Sequence, residues 1–107
     1  MNDCPRVSII MPAYNASDFI REAVDSILAQ TFGDFEFIIL NDGSTDDTRA
    51  IVESYDDERI RLINKSNSGV ASTLNEGLKL ATGEFIWRHD ADDISLPQKL
   101  ERQIQFM

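Results

Sequence analysis

Four apolar runs, each followed by a turn and a stretch of helical periodicity, constrain this chain more than any other feature. Val7-Ser8-Ile9-Ile10-Met11 is nearly continuous in apolar character and is ended by Pro12. Phe35-Glu36-Phe37-Ile38-Ile39-Leu40 tightens from alternation to full apolarity, Ile60-Arg61-Leu62-Ile63 is shorter, and the run from Glu84 to Arg88 is the last. Runs of this length without strict alternation suit strands buried on both faces. Between them, Ile20, Ala23, Val24, Ile27 and Leu28 give residues 17–30 an apolar stripe that Ser17 is placed to cap. Ser44-Thr45-Asp46-Asp47 resembles a capping box opening a helix to about residue 55. Residues 68–81 carry Val70, Leu74, Leu78 and Ala81 on one side, and Gly83 follows as a stop. The order β-α-β-α-β-α-β-α, in units of about 30 residues, predicts an α/β fold: a mostly parallel sheet with helices on both faces, in three αβα layers.

The chain has 107 residues, which favours a single domain. No apolar stretch approaches the ~20 residues of a membrane span, and the first residues lack the pattern of a signal peptide. Cys4 is the single cysteine, so no disulfide framework is expected and a reducing, cytoplasmic setting fits. The formal net charge of −9 argues against a nucleic-acid surface. It also means that an anionic ligand needs a cation, a helix N-terminus or local basic groups to offset repulsion. Residues 96–107 read as a helix opening, with Leu100, Ile104 and Met107 on one face and no stop signal after them.

In a parallel sheet the loops after the strands share one edge, and ligands bind there. That edge carries Pro12-Ala13-Tyr14-Asn15, then Asn41-Asp42-Gly43-Ser44, then His89-Asp90-Ala91-Asp92-Asp93. Tyr14 offers a flat face and a hydroxyl. Asp42 offers a carboxylate to a base N–H or a ribose hydroxyl, and Gly43 allows close backbone approach. In an extended segment Asp90 and Asp92 point the same way, and convergent carboxylates call for Mg²⁺ or Mn²⁺. Plainer roles fit parts of this set. Tyr14 could cap the sheet edge, Asp42-Gly43 could be a turn, Asp46 and Asp47 suit a helix dipole, and Asp56-Asp57-Glu58 reads as a solvated loop. Trp87, alternating with Phe85, reads as core, and His89 as a sheet-edge residue. A calcium loop starting at Asp90 places Glu101 correctly but has Ser95 where Gly is required. A phospho-accepting receiver domain needs acids after the first and third strands, where this chain has Pro-Ala-Tyr-Asn and Asn-Lys-Ser.

The three edge motifs, with Asn67-Ser68-Gly69-Val70-Ala71, Asn75-Glu76-Gly77 and Ala81-Thr82-Gly83-Glu84 between them, resemble family 2 glycosyltransferases of the GT-A fold. The resemblance covers nearly the whole chain. It implies that residues 1–107 are the nucleotide-sugar-binding half of one GT-A domain, with the acceptor-binding half absent. It implies inverting transfer of a sugar from a nucleoside-diphosphate sugar, with uridine donors favoured, to a saccharide, lipid-linked or protein hydroxyl. By resemblance, Pro12, Ala13 and Tyr14 line the nucleoside pocket, Asp42 holds the base, Asp90 lies near the ribose and diphosphate, and Asp92 ligates Mn²⁺ or Mg²⁺. Asp93 is open between a ligand and a structural role. The general base is expected beyond Met107, and the parent protein is expected in the cytoplasm, extending to the inner face of the membrane.

Overall fold

A computed structural model describes residues 5–105. The elements are β1 (Val7–Ala13), α1 (Ile20–Leu28), β2 (Phe35–Asp42), α2 (Thr48–Glu53), β3 (Ile60–Lys65), α3 (Val70–Leu80), β4 (Phe85–Arg88) and α4 (Lys99–Gln105). Met107 and Cys4 lie outside the described residues. The strands form one sheet in the order β3-β2-β1-β4, and every pairing is parallel. All eight elements therefore follow the order expected from the pattern, and the loops after the strands do lie along one rim.

Pro12 falls inside β1 instead of ending it. Ile10 O accepts from His89 N, so Ile10 presents its backbone toward β4; by strand alternation Pro12 does the same. The β4 pairing stops at Ile10, so the N–H that proline lacks has no ladder partner to lose.

One sheet face buries Val7, Ile9, Met11, Phe37 and Ile39 against α1, Val52 of α2 and Leu100 of α4. The other buries Ile10, Ile38 and Leu40 under α3. The predicted stripe of α3 holds at Leu74 and Ala81, which pack against the Ile10, Ile38 and Leu40 cluster, and is corrected at its other two positions. Val70 and Leu78 are exposed, whereas Thr73 and Gly77 face inward. A Cβ on Gly77 would stand 2.6 Å from Ile10 Cγ2 and 3.2 Å from Leu40 Cδ1. The helix approaches the sheet closely at Gly77, a contact that hydrophobic periodicity alone does not register.

At the start of the strands, Glu36 is a buried acid with every bond made. It accepts from Ser8 Oγ at 2.5 Å, Thr82 N at 2.7 Å, Thr82 Oγ1 at 3.0 Å and Arg61 Nη1 at 3.1 Å. Ser8 Oγ in turn accepts from Gly83 N at 2.8 Å. Burial pushes the Glu36 carboxyl up, but these donors outweigh it and hold it below the usual carboxylate range. This knot anchors the α3–β4 connection and so fixes where β4 delivers its C-terminal acids.

Candidate functional site

The loops after β1 and β2 are tied to each other by side chains. Asn15, at φ 47°, donates from its N–H to Ser44 Oγ at 3.0 Å and accepts on Oδ1 from Thr45 N at 2.8 Å. Ala16 N donates to Thr48 Oγ1 at 2.9 Å, and Ser17 N to Asp46 Oδ2 at 3.1 Å. Asp46 Oδ1 accepts from Thr48 N at 3.0 Å and Thr48 Oγ1 at 2.5 Å. The hydrogen bond from the Thr48 hydroxyl is the main reason that the Asp46 carboxyl falls to about 2, against a smaller opposing effect of desolvation. Two expected helix caps are thereby corrected. Neither α1 nor α2 has a side-chain cap bond at its N-cap residue, Phe19 or Asp47. Ser17 instead gives its N–H, and Ser44 its hydroxyl oxygen, to the bridge between the loops. That bridge holds Tyr14 at the rim with 54% of its surface exposed.

Asp42 is buried, with 4% exposure, at the end of β2. Its Oδ1 accepts from Lys65 Nζ and Ser68 N, both at 2.8 Å. Its Oδ2 accepts from Gly69 N at 3.1 Å and, at the limit of a hydrogen bond, from Asn67 Nδ2 at 3.5 Å. Burial raises its pKa, but Lys65 and the two backbone donors outweigh that and leave it low. The carboxylate thus pins the segment that leads into α3 from another strand, and its four acceptor sites are all taken. Gly43, at φ 71°, is packed against this same segment: a Cβ there would lie 2.6 Å from Asn67 N. The close approach expected of Gly43 is to the protein's own backbone. The loop after β3, carrying Lys65, Asn67, Ser68 and Gly69, was not among the expected site segments. The parallel-sheet rule that gathered the other three loops includes it equally.

After β4 the acids converge by a route different from the extended geometry expected. Asp93 N donates to Asp90 O at 3.1 Å, closing a turn. Asp92 and Asp93 are exposed and Asp90 is half-buried. One carboxylate oxygen from each of Asp90, Asp92 and Asp93 lies within 4.8 Å of the others. Ligands on opposite sides of Mg²⁺, with bonds of ~2.1 Å, stand ~4.2 Å apart. Three oxygens within this limit are compatible with a small, hard divalent cation. Asp90 has one cationic neighbour, Arg88 Nη2 at 3.3 Å, in a half-exposed pair.

His89 is 3% exposed and turned into the protein. Its Nδ1 is 2.9 Å from Asp90 O and its Nε2 is 2.9 Å from Ser95 Oγ. A carbonyl only accepts, so Nδ1 carries the proton and Nε2 accepts from the Ser95 hydroxyl. Burial holds the imidazole pKa below its usual value, in keeping with a neutral ring.

These loops enclose an open cleft of about 330 Å³, lined by Pro12, Tyr14, Asn15, Ala16, Phe19, Val70, Asp90, Ala91 and Asp92. Pro12, Tyr14, Asp90 and Asp92 are thus brought together as expected. Ala13 is buried beneath them, and Asp42 sits behind the α3 N-terminus without lining the cleft. Phe19 and Val70, each 56% exposed, are apolar walls that the sequence reading missed. Phe19 falls outside the α1 stripe, which was the available signal. A separate groove of about 390 Å³ beside α4, lined by Ile94, Leu96, Lys99 and Arg102 among others, shares no residue with the cleft.

Similarity to known proteins runs along the whole of this framework. The chain is 43% identical over 111 aligned residues to the putative glycosyltransferase EpsE of Bacillus subtilis, covering all of this chain and 40% of that protein. It is 46% identical to the uncharacterized glycosyltransferase RT0329 of Rickettsia typhi, covering 96% of this chain and 32% of the relative. Its structure matches S. aureus TarS 1-349 in complex with UDP-GlcNAc with a TM-score of 0.89 and 34% identity, over 94% of this chain and 30% of TarS 1-349. It also matches the mannosyltransferase PcManGT of Pyrobaculum calidifontis, in complex with GDP-Man and Mn²⁺, with a TM-score of 0.77 and 34% identity, over 85% of this chain and 28% of that one. The chain therefore spans well under half the length of these relatives. The model of the family described as glycosyl transferase family 2 matches residues 8–107. With the GT-A architecture, the rim motifs and this match in agreement, the chain belongs to glycosyl transferase family 2.

Proposed function

We propose that this chain is the donor-binding half of an inverting glycosyltransferase domain whose substrate is a nucleoside-diphosphate sugar, with a uridine donor favoured. The observation that carries the reading is the shared cleft: Tyr14 and Pro12 on one side, Asp90 and Asp92 on the other. The nucleoside lies along Pro12 and Tyr14, with the Tyr14 ring against an apolar face of the ligand and the buried Ala13 supporting the strand end between them. The diphosphate lies toward Asp90 and Asp92. On a chain of net charge −9 it needs a counter-charge there. Asp92, with Asp90 and Asp93 beside it, holds Mn²⁺ or Mg²⁺ in this reading. The bound cation supplies neutralisation of the charge that develops on the leaving diphosphate. The complexes of TarS with UDP-GlcNAc and of PcManGT with GDP-Man and Mn²⁺ support both ligands.

Asp42 is assigned to the base. For it to accept from a base N–H, one of its four present donors must give way, and Asn67 Nδ2 at 3.5 Å is the most weakly held. Inversion requires a base to take the acceptor's proton from the face opposite the leaving group. We assign that base, and the acceptor surface for a saccharide, lipid-linked or protein hydroxyl, to sequence beyond Met107.

The test is calorimetric titration of UDP, GDP and dTDP, with and without Mn²⁺, into the chain and into Asp92→Asn. Metal-dependent tightening for UDP that disappears in the variant is expected. Unchanged binding would remove Asp92 from the site. A second reading follows from the short span relative to EpsE and TarS: the 107 residues alone bind nucleotide without turnover. Robust sugar transfer by this chain would refute that second reading.

A further inference from the structure

We infer that His89, Ser95 and Ser26 form a clasp that sets the acid turn for its cation, making His89 a positioning residue for the donor site; this rests on the proposed function. The turn 90–93 is exposed and like-charged, so left alone it would open by mutual repulsion. Its backbone is nonetheless pinned from both sides. Asp90 O accepts from His89 Nδ1 at 2.9 Å and from Asp93 N at 3.1 Å, which fills both carbonyl lone pairs. His89 N donates to Ile10 O at 3.0 Å, fixing the entry to β1. At the exit, Ser95 Oγ meets His89 Nε2 at 2.9 Å, while Ser95 N donates to Ser26 Oγ at 3.2 Å. Ser26 Oγ donates to Ala23 O at 2.8 Å within α1. Gln30 extends the docking: its Nε2 donates to Leu96 O at 2.9 Å, and its Oε1 accepts from Leu100 N at 3.0 Å.

The result is a closed path from β1 through His89 and Ser95 to α1, with the acids on the loop it encloses. His89 is buried and does not line the cleft, so it cannot act by touching the ligand. It acts through the Asp90 carbonyl. Holding the acids near one another before the cation arrives reduces the ordering that binding must otherwise impose. Removing a partner that orients a ligand's backbone or side chain typically weakens metal affinity by about 10–100-fold.

The experiment measures Mn²⁺ affinity at saturating UDP, and UDP affinity without metal, for the wild-type chain, His89→Ala, His89→Gln and Ser26→Ala, with circular dichroism to establish folding. His89→Ala should weaken Mn²⁺ binding by about tenfold or more, leaving metal-free UDP affinity unchanged. His89→Gln, whose amide can still accept from the Ser95 hydroxyl but lacks a donor at the Nδ1 position for Asp90 O, should recover only the smaller part. Ser26→Ala, away from the rim, should weaken Mn²⁺ binding in the same direction and keeps the question decidable if His89→Ala does not fold. Folded His89→Ala or Ser26→Ala with wild-type Mn²⁺ affinity would overturn the clasp alone. A wild-type chain that takes up no Mn²⁺ with UDP would overturn the clasp and the proposed cation site together.

Discussion

Glu36 and the Asp90–Asp93 turn place acids at opposite ends of the same sheet, and they are built in opposite ways. Glu36 is buried and meets four donors from Ser8, Arg61 and Thr82. The rim acids are exposed or half-buried, face one another, and have Arg88 as their cationic neighbour on Asp90. A buried carboxylate that already meets four donors has little capacity left for a ligand and contributes to the fold. A group of carboxylates that repel one another lowers stability slightly and gains from a cation. Asp42 resembles Glu36 in its burial and its donors, but its fourth donor, Asn67 Nδ2 at 3.5 Å, is weakly held and leaves it one acceptor site that can be freed.

The largest effect expected on this contrast is at the structural end. Glu36→Ala strands Arg61, Ser8 and the Thr82 N–H, and should lower stability by about 3 kcal/mol, measured by urea unfolding. Mn²⁺ uptake per folded molecule should not change. A loss below ~1 kcal/mol would erase the distinction between the two ends. Asp92→Asn should do the reverse. Stability should stay within ~0.5 kcal/mol of wild type, while Mn²⁺-dependent UDP affinity should fall at least tenfold, or about 1.4 kcal/mol.

Acid should sharpen the same division. Glu36, Asp42 and Asp46 all have carboxyl pKa values lowered by folding. In the window where the unfolded chain binds more protons than the folded one, stability falls as pH falls. Their contribution is therefore complete above the usual carboxylate range of ~4 and, for Asp46, is lost as pH drops toward about 2. Asp46→Asn should flatten the stability profile between those limits in pH-jump denaturation, and an unaltered profile would exclude Asp46 from the loop bridge. The smallest effect belongs to Arg88→Gln. That ion pair is half exposed on both sides, so the melting free energy should move by less than ~0.5 kcal/mol.

The element order and the sheet edge were legible because runs of buried apolar residues and parallel connectivity leave few alternatives. Pro12, Tyr14, Asp90 and Asp92 could be gathered on one cleft for the same reason. Three details were not legible. The contact face of α3 combines Leu74 and Leu80 with the fully buried Thr73 and Gly77, and the close approach at these small residues leaves no apolar signal to read. Ser17 and Ser44 have the residue types of helix caps, yet their groups bond across the two loops, and Asp46 divides its carboxylate between Ser17 N across the loops and Thr48 close by, a tertiary choice that local spacing does not encode. His89 was read as an edge residue, because its bond to Ser95 and the anchoring of Ser95 on Ser26 join segments 69 positions apart in the chain.

The proposed donor site joins loops from separate strands around one cation. Mn²⁺ is paramagnetic, so amide resonances near it broaden in a nitrogen–proton correlation spectrum. With UDP present, sub-stoichiometric Mn²⁺ should broaden residues 89–95 first and the cleft segments 12–16 and 68–70 next, leaving the other acidic loop, Asp56-Asp57-Glu58, sharp. Broadening centred on that loop, or spread evenly over the molecule, would contradict the account.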